Sequence, residues 1–236
     1  EVWNILSLIT IPEKTIDTIV EAPYKSFSQE FRDFIRKFFE NVGKELGYSN
    51  ISFAIYDRLT KEYFGINDKA SLNASSLNKL AIAYTLANNI QHGLIDTTKP
   101  IAYKAELSLE REAKENPNFK DGVSLEFWHL LSLMLSESSN PATNLLLDVL
   151  GNGNVQNGVN IVNQAMAEKF PEIRIGAYNQ DYYRLNKTTA EATTKLMASI
   201  KEAEGIMPEY AEKIIEQLER ERTTGCYQGK FPSLKF

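Results

Sequence analysis

The chain has 236 residues, 43% apolar and 24% charged, an ordinary globular composition with material for one large domain or two small ones. A net charge of −5 and the lack of a basic stretch leave no electrostatic footprint for nucleic acid or an anionic membrane surface. A single cysteine, Cys226, excludes an intrachain disulfide and a thiolate metal cluster, and only His92 and His129 are available to a histidine triad or zinc site.

The sequence opens at Glu1 without Met, which reads as a processed or trimmed start. Val2 to Ile11 is apolar but too short and interrupted to span a bilayer, and fits an added strand or the remainder of a stalk. After this extension (1–25), residues 26–47 predict an amphipathic helix. Phe27, Phe31, Phe34, Ile35, Phe38, Phe39 and Val42 recur at three- and four-residue spacing, and Gly47 follows the last turn. Ile51 to Asp57 and Lys61 to Ile66 read as a β-hairpin, completing an N-terminal part, 26–75.

A helical part, 76–205, follows. The first helix opens at Ser76 and stops near Gly93, with His92 at its C-terminus where a cation is favoured. Ser124 reads as the N-cap of a helix over Glu126 to Glu137, which contains His129. Pro141 starts the next, Ala142 to Leu150, ended by Gly151 and Gly153. A helix over Val159 to Phe170 precedes an irregular aromatic stretch, Pro171 to Lys187, with Tyr178, Tyr182 and Tyr183. Thr188 and Thr189 cap a helix to about Ala203, and Glu209 to Glu221 forms the last, in a C-terminal part, 206–236.

Two short motifs carry the chemistry. Ser76-Leu77-Asn78-Lys79 opens an apolar helical run, and Ser138-Ser139-Asn140 sits where one helical pattern stops and another begins. A serine in a first helical turn lies near unpaired N–H groups and the positive end of the macrodipole, which favour developing negative charge. A lysine three residues on projects from nearly the same face, placed to take the serine proton if burial lowers its pKa. The plainer alternative makes Ser75 or Ser76 an N-cap and Lys79 a solvated first-turn residue.

With the stretch from Asp121-Gly122-Val123-Ser124 to Ser138-Ser139-Asn140-Pro141-Ala142-Thr143-Asn144-Leu145-Leu146-Leu147, these motifs resemble the penicillin-recognising serine enzymes, most closely the class A β-lactamase-like family. Thr188-Thr189-Ala190 resembles the family's threonine pair after its omega loop, and the likeness spans roughly 30–225. The resemblance implies an α/β (α+β) fold: an antiparallel sheet flanked by helices, with an all-helical insertion. It implies Ser76 as the nucleophile that forms an acyl-enzyme, and the Ser76 N–H as one oxyanion donor. Lys79 is then the base or proton relay, and Ser138 passes the proton to the leaving nitrogen. Asn140 holds Lys79 and the substrate's amide, while Asn144 has a structural role. The implied substrate is a β-lactam or a D-Ala-D-Ala-type peptide, with no cofactor or metal, in a secreted or surface-anchored protein.

Three departures qualify this. Ser139 replaces the usual aspartate, a structural hydrogen-bond partner. No E-x-x-x-N lies between Phe170 and Lys187; Glu172 is near the place of the deacylating glutamate but reads as an exposed loop carboxylate. No K-[TS]-G follows, since Arg222-Thr223-Thr224-Gly225 comes too early, and the C-terminal sheet strands are expected from a longer polypeptide or a second chain. The reading is therefore a serine hydrolase or acyl-transferase acting on β-lactams. Its alternatives are a slowly deacylating penicillin-binding DD-peptidase and a non-catalytic module that binds cell-wall material or a protein partner. A metal-dependent hydrolase lacks a ligand cluster.

Overall fold

The computed structural model describes residues 27–47, 51–107, 119–120, 122–176 and 185–219. The apolar segment Val2 to Ile11, the tyrosines at 178, 182 and 183, Arg222 to Gly225 and Cys226 lie outside them. The chain forms two compact units: residues up to Asn78 with Asn163–Ser199, and Lys79–Val162 with the residues from Ile200 on. The segment 163–199, which the sequence reading groups with the helical part, packs with the N-terminal unit.

In the first unit, α1 (Gln29–Leu46) starts at Ser28, whose hydroxyl accepts from the Phe31 N–H, and ends at Gly47 in the left-handed conformation. Phe27, Ile35 and Phe39 bury against Phe53 and Phe64 of a hairpin, β1 (Phe53–Tyr56) and β2 (Tyr63–Ile66), paired antiparallel with Phe53 opposite Ile66. Each such side chain contributes about 1.5–3 kcal/mol by leaving water. Phe34 and Phe38 belong to the same predicted apolar face but are exposed. The six predicted apolar positions that fall within α1 cover more of the helix circumference than a two-stranded hairpin can bury.

The hairpin leads to β3 (Leu72–Asn73), which pairs antiparallel with β6 (Lys187–Thr188). The Tyr63 hydroxyl donates to the Asp68 carboxylate. Burial first, then that hydrogen bond and the nearby acidic charges, push its phenol well above the ordinary tyrosine range. The Asp68 carbonyl in turn accepts from the Glu191 N–H, at the start of α6 (Ala190–Lys201). Thr189 caps α6 by accepting from the Ala192 N–H. Thr188, expected to share in the cap, belongs instead to β6 and bonds the Thr193 hydroxyl.

In the second unit, α2 (Asn78–Gln91) is buried from its first residue through Ala87, with Ala81, Ile82, Ala83 and Leu86 at or below 1% exposure, as a helix at the centre of a core is. Near its end the His92 ring bonds the Asn88 carbonyl, one of the last-turn acceptors that a helix end leaves short of partners. A short pair, β4 (Ile101–Ala102) and β5 (Ser124–Leu125), leads into α3 (Phe127–Ser136). Ser124 is thus a strand residue, and the N-cap of α3 is Glu126. α3 packs on α4 (Asn140–Leu150) through Leu130, Met134, Leu145 and Leu146, all without solvent exposure.

α5 (Val155–Lys169) follows, its Gly158 set so close to α4 that a Cβ would collide with the Leu147 carbonyl oxygen. α7 (Pro208–Glu219) packs on α3. Between these two helices lies a cavity of about 280 Å³ lined by Trp128, His129, Ser132, Lys213 and Gln217, none of them a candidate catalytic residue. No helix among the described residues is long and apolar enough to cross a membrane.

Candidate active site

Ser76 sits in a 3₁₀ turn, Ser75–Leu77, that runs directly into α2 at Asn78. It precedes the α-helix proper and is exposed. Ser75 has φ +45, a left-handed conformation unusual for serine. Its N–H donates to the Asn73 side-chain oxygen at 3.0 Å, and the Ala74 carbonyl accepts from the Leu77 N–H at 2.9 Å. Strain of this kind persists only where surrounding bonds over-determine it, and it clusters at functional turns. The signal for this Asx turn on Asn73 is the run Asn73-Ala74-Ser75 itself, outside both catalytic motifs.

In the second unit, Lys79 lies in the first turn of α2 with 3% exposure, which removes the solvated first-turn alternative. Its ammonium donates to the Ser138 carbonyl at 2.6 Å, the Ser138 hydroxyl at 2.9 Å and the Asn140 side-chain oxygen at 3.0 Å. Ser138 adopts φ +59 between α3 and α4, and both its oxygens reach the same ammonium. The carbonyl contact has no sequence signature. Lys79, Ser138 and Asn140, up to 61 residues apart, thus form one hydrogen-bonded cluster.

Local chemistry explains the rest of the segment. Ser139, buried, is the N-cap of α4: its hydroxyl accepts from the Ala142 N–H, and its carbonyl accepts from the Thr143 hydroxyl at 2.6 Å. Pro141 occupies the first turn, where a missing N–H costs nothing. Asn144, one turn beyond Asn140, donates to the Leu107 carbonyl at 2.6 Å, and Asp148, one turn further, pairs with Lys104 at 2.6 Å. The face of α4 that begins with Asn140 thereby clamps residues 104–107. Glu172 is exposed on the turn after α5, beside buried Ile173.

The model of the Beta-lactamase enzyme family matches residues 31–234, and the chain belongs to that family. No curated protein matches it. Among solved structures, PBP-A resembles it with a TM-score of 0.68 at 17% identity, over 85% of this chain and 72% of that one. A beta lactamase from Xanthomonas campestris pv. campestris gives 0.67 at 17% identity, over 81% and 71%. A single-residue mutant of PBP-A, solved as an acyl-enzyme complex with penicillin-G, gives 0.65 at 17% identity, over 80% and 70%. At these identities the likeness is one of fold: a β-lactamase-like, helix-rich α/β fold with small antiparallel sheets.

Proposed function

We propose that this protein is a serine acyl-transferring hydrolase that opens β-lactams through Ser76. The observation that carries the reading is the buried Lys79 ammonium, held by the Ser138 carbonyl, the Ser138 hydroxyl and Asn140. A neutral Lys79 needs only two of these acceptors for its two N–H groups, and its lone pair is then available to a serine proton. The Ser76 oxygen bonds to the lactam carbonyl carbon as its proton passes to Lys79. The lactam C–N bond then breaks, and the Ser138 hydroxyl gives its proton to the leaving nitrogen while taking one from Lys79. The Ser76 N–H faces the developing oxyanion, and Asn140 orients the substrate's amide. Water finally bonds to the acyl carbon as the bond from that carbon to the Ser76 oxygen breaks, and one of the water's protons goes to the Ser76 oxygen. A secreted or surface-anchored location accompanies this substrate class.

The exposure of Glu172 favours a second reading, a penicillin-binding DD-peptidase whose acyl-enzyme persists, because a carboxylate in water is neither oriented nor activated for water attack. Intact mass spectrometry during incubation with benzylpenicillin tests both. Hydrolysed penicillin with unmodified protein supports the β-lactamase reading. A lasting adduct on Ser76 supports the DD-peptidase. Neither adduct nor hydrolysis overturns both and leaves a non-catalytic binding module on the same scaffold.

A further inference from the structure

We infer that Asn186 is a positioning residue for the Ser76 turn, tying that turn to Gly176; this rests on Ser76 as the acylated serine. Asn186 is fully buried, and its side-chain oxygen accepts from the Gly176 N–H at 2.7 Å. Gly176 and Asn186, ten residues apart in sequence, are thereby held together. Next to them, Arg174 and Lys187 exchange two backbone hydrogen bonds, at 2.9 and 2.8 Å.

The Asn186 carbonyl accepts from the Ala74 N–H at 3.0 Å, and the Ala74 carbonyl accepts from the Leu77 N–H. A relay of three hydrogen bonds therefore runs from Gly176 through Asn186 and Ala74 to Leu77, the residue after Ser76. It enters the turn directly ahead of Ser75, whose left-handed φ has to be enforced from outside.

The Asn186 side chain also bears a cost that a packing residue avoids. Its Nδ2 is buried and has no hydrogen-bond partner among the described residues. An apolar side chain of similar size would fill the same space with no orphaned donor, but could not hold Gly176. A residue tolerated against that cost is one whose acceptor is required.

Asn163 supplies the matched comparison. Its side chain donates to the Ile175 carbonyl and accepts from the Ile175 N–H, both at 2.9 Å, so it fixes the same segment without bonding Ala74. The test measures second-order acylation by benzylpenicillin, thermal midpoint and Ala74 amide exchange in wild type, Asn186→Ala, Asn186→Asp and Asn163→Ala. Asn186→Ala is expected to slow acylation by about tenfold or more, the scale of a small misplacement of a reacting group, and to speed Ala74 exchange. Asn186→Asp, which keeps the oxygen, restores part of the rate, and Asn163→Ala stays within about twofold of wild type at a comparable loss of midpoint.

Wild-type acylation rates in folded Asn186→Ala, or an equal slowing in Asn163→Ala, overturn the inference. If the wild type itself is not acylated, the penicillin reading fails separately and the amide exchange decides. Faster Ala74 exchange in Asn186→Ala but not in Asn163→Ala then upholds the link from Asn186 to the turn, and unchanged exchange in Asn186→Ala overturns it.

Discussion

Lys79 in its charged form has three N–H donors, and its acceptors include two oxygens of Ser138 and one of Asn140. These shared contacts make the cluster a unit. Removing the lysine side chain takes a charged donor away from the half-buried Ser138 and Asn140, and a hydrogen bond to a charged group contributes about 1.5–3 kcal/mol. Removing Asn140 as well removes one of the groups that lost that donor, so the second loss is smaller than it would be alone. Lys79→Met and Asn140→Ala are therefore expected to be non-additive in unfolding free energy, with a coupling of about 0.5–3 kcal/mol. Urea denaturation of wild type, the two single variants and the double variant measures it. Strict additivity would mean that the 3.0 Å contact between them carries no energy.

At the scale of elements, Ser139 shows how a departure from a family pattern is absorbed. The family's aspartate becomes a serine here, and serine is equally a helix N-cap, with a hydroxyl that meets the Ala142 N–H in the first turn of α4. Ser139→Ala is expected to destabilise the protein by about 1 kcal/mol, seen as a lower urea midpoint, while Ser139→Asp stays near wild type because a carboxylate caps as well and suits the helix N-terminus. Equal losses in both variants would show that the buried site rejects charge more strongly than the helix needs a cap. The long elements were legible because apolar residues recur over three turns or more: α1, α3 and α4 fall within a few residues of their predicted bounds. The pairs β3–β6 and β4–β5 were not, because two residues cannot display an alternation. The same limit turned Ser124 from an expected cap into a strand residue. In the candidate site, the two short motifs singled out Lys79, Ser138 and Asn140, which hydrogen bonds join in one cluster. The left-handed Ser138, whose carbonyl also holds Lys79, and the Asn186 relay depend on backbone angles and long-range pairing that no short motif encodes.

At the scale of the whole molecule, the lifetime of the acyl-enzyme divides a hydrolase from a penicillin-binding protein. In the proposed reaction, acylation draws on the Ser76 turn and the buried Lys79 cluster, whereas deacylation also needs a base that orients water. Glu172 is near the expected place in the sequence, and it projects from the exposed turn after α5, beside Ile173 and Ile175, which are buried. A carboxylate there keeps its hydration and has no fixed direction, so it adds little to water activation, where a positioned base adds about 10²–10⁴-fold. Glu172→Gln is therefore expected to leave the adduct lifetime unchanged within about twofold, far below that range. The measurement is the decay of the Ser76 adduct mass after rapid removal of excess benzylpenicillin, run in parallel on wild type and variant. A strongly prolonged adduct in Glu172→Gln would make this surface glutamate the deacylating base, and would require the turn after α5 to rearrange around the acylated serine.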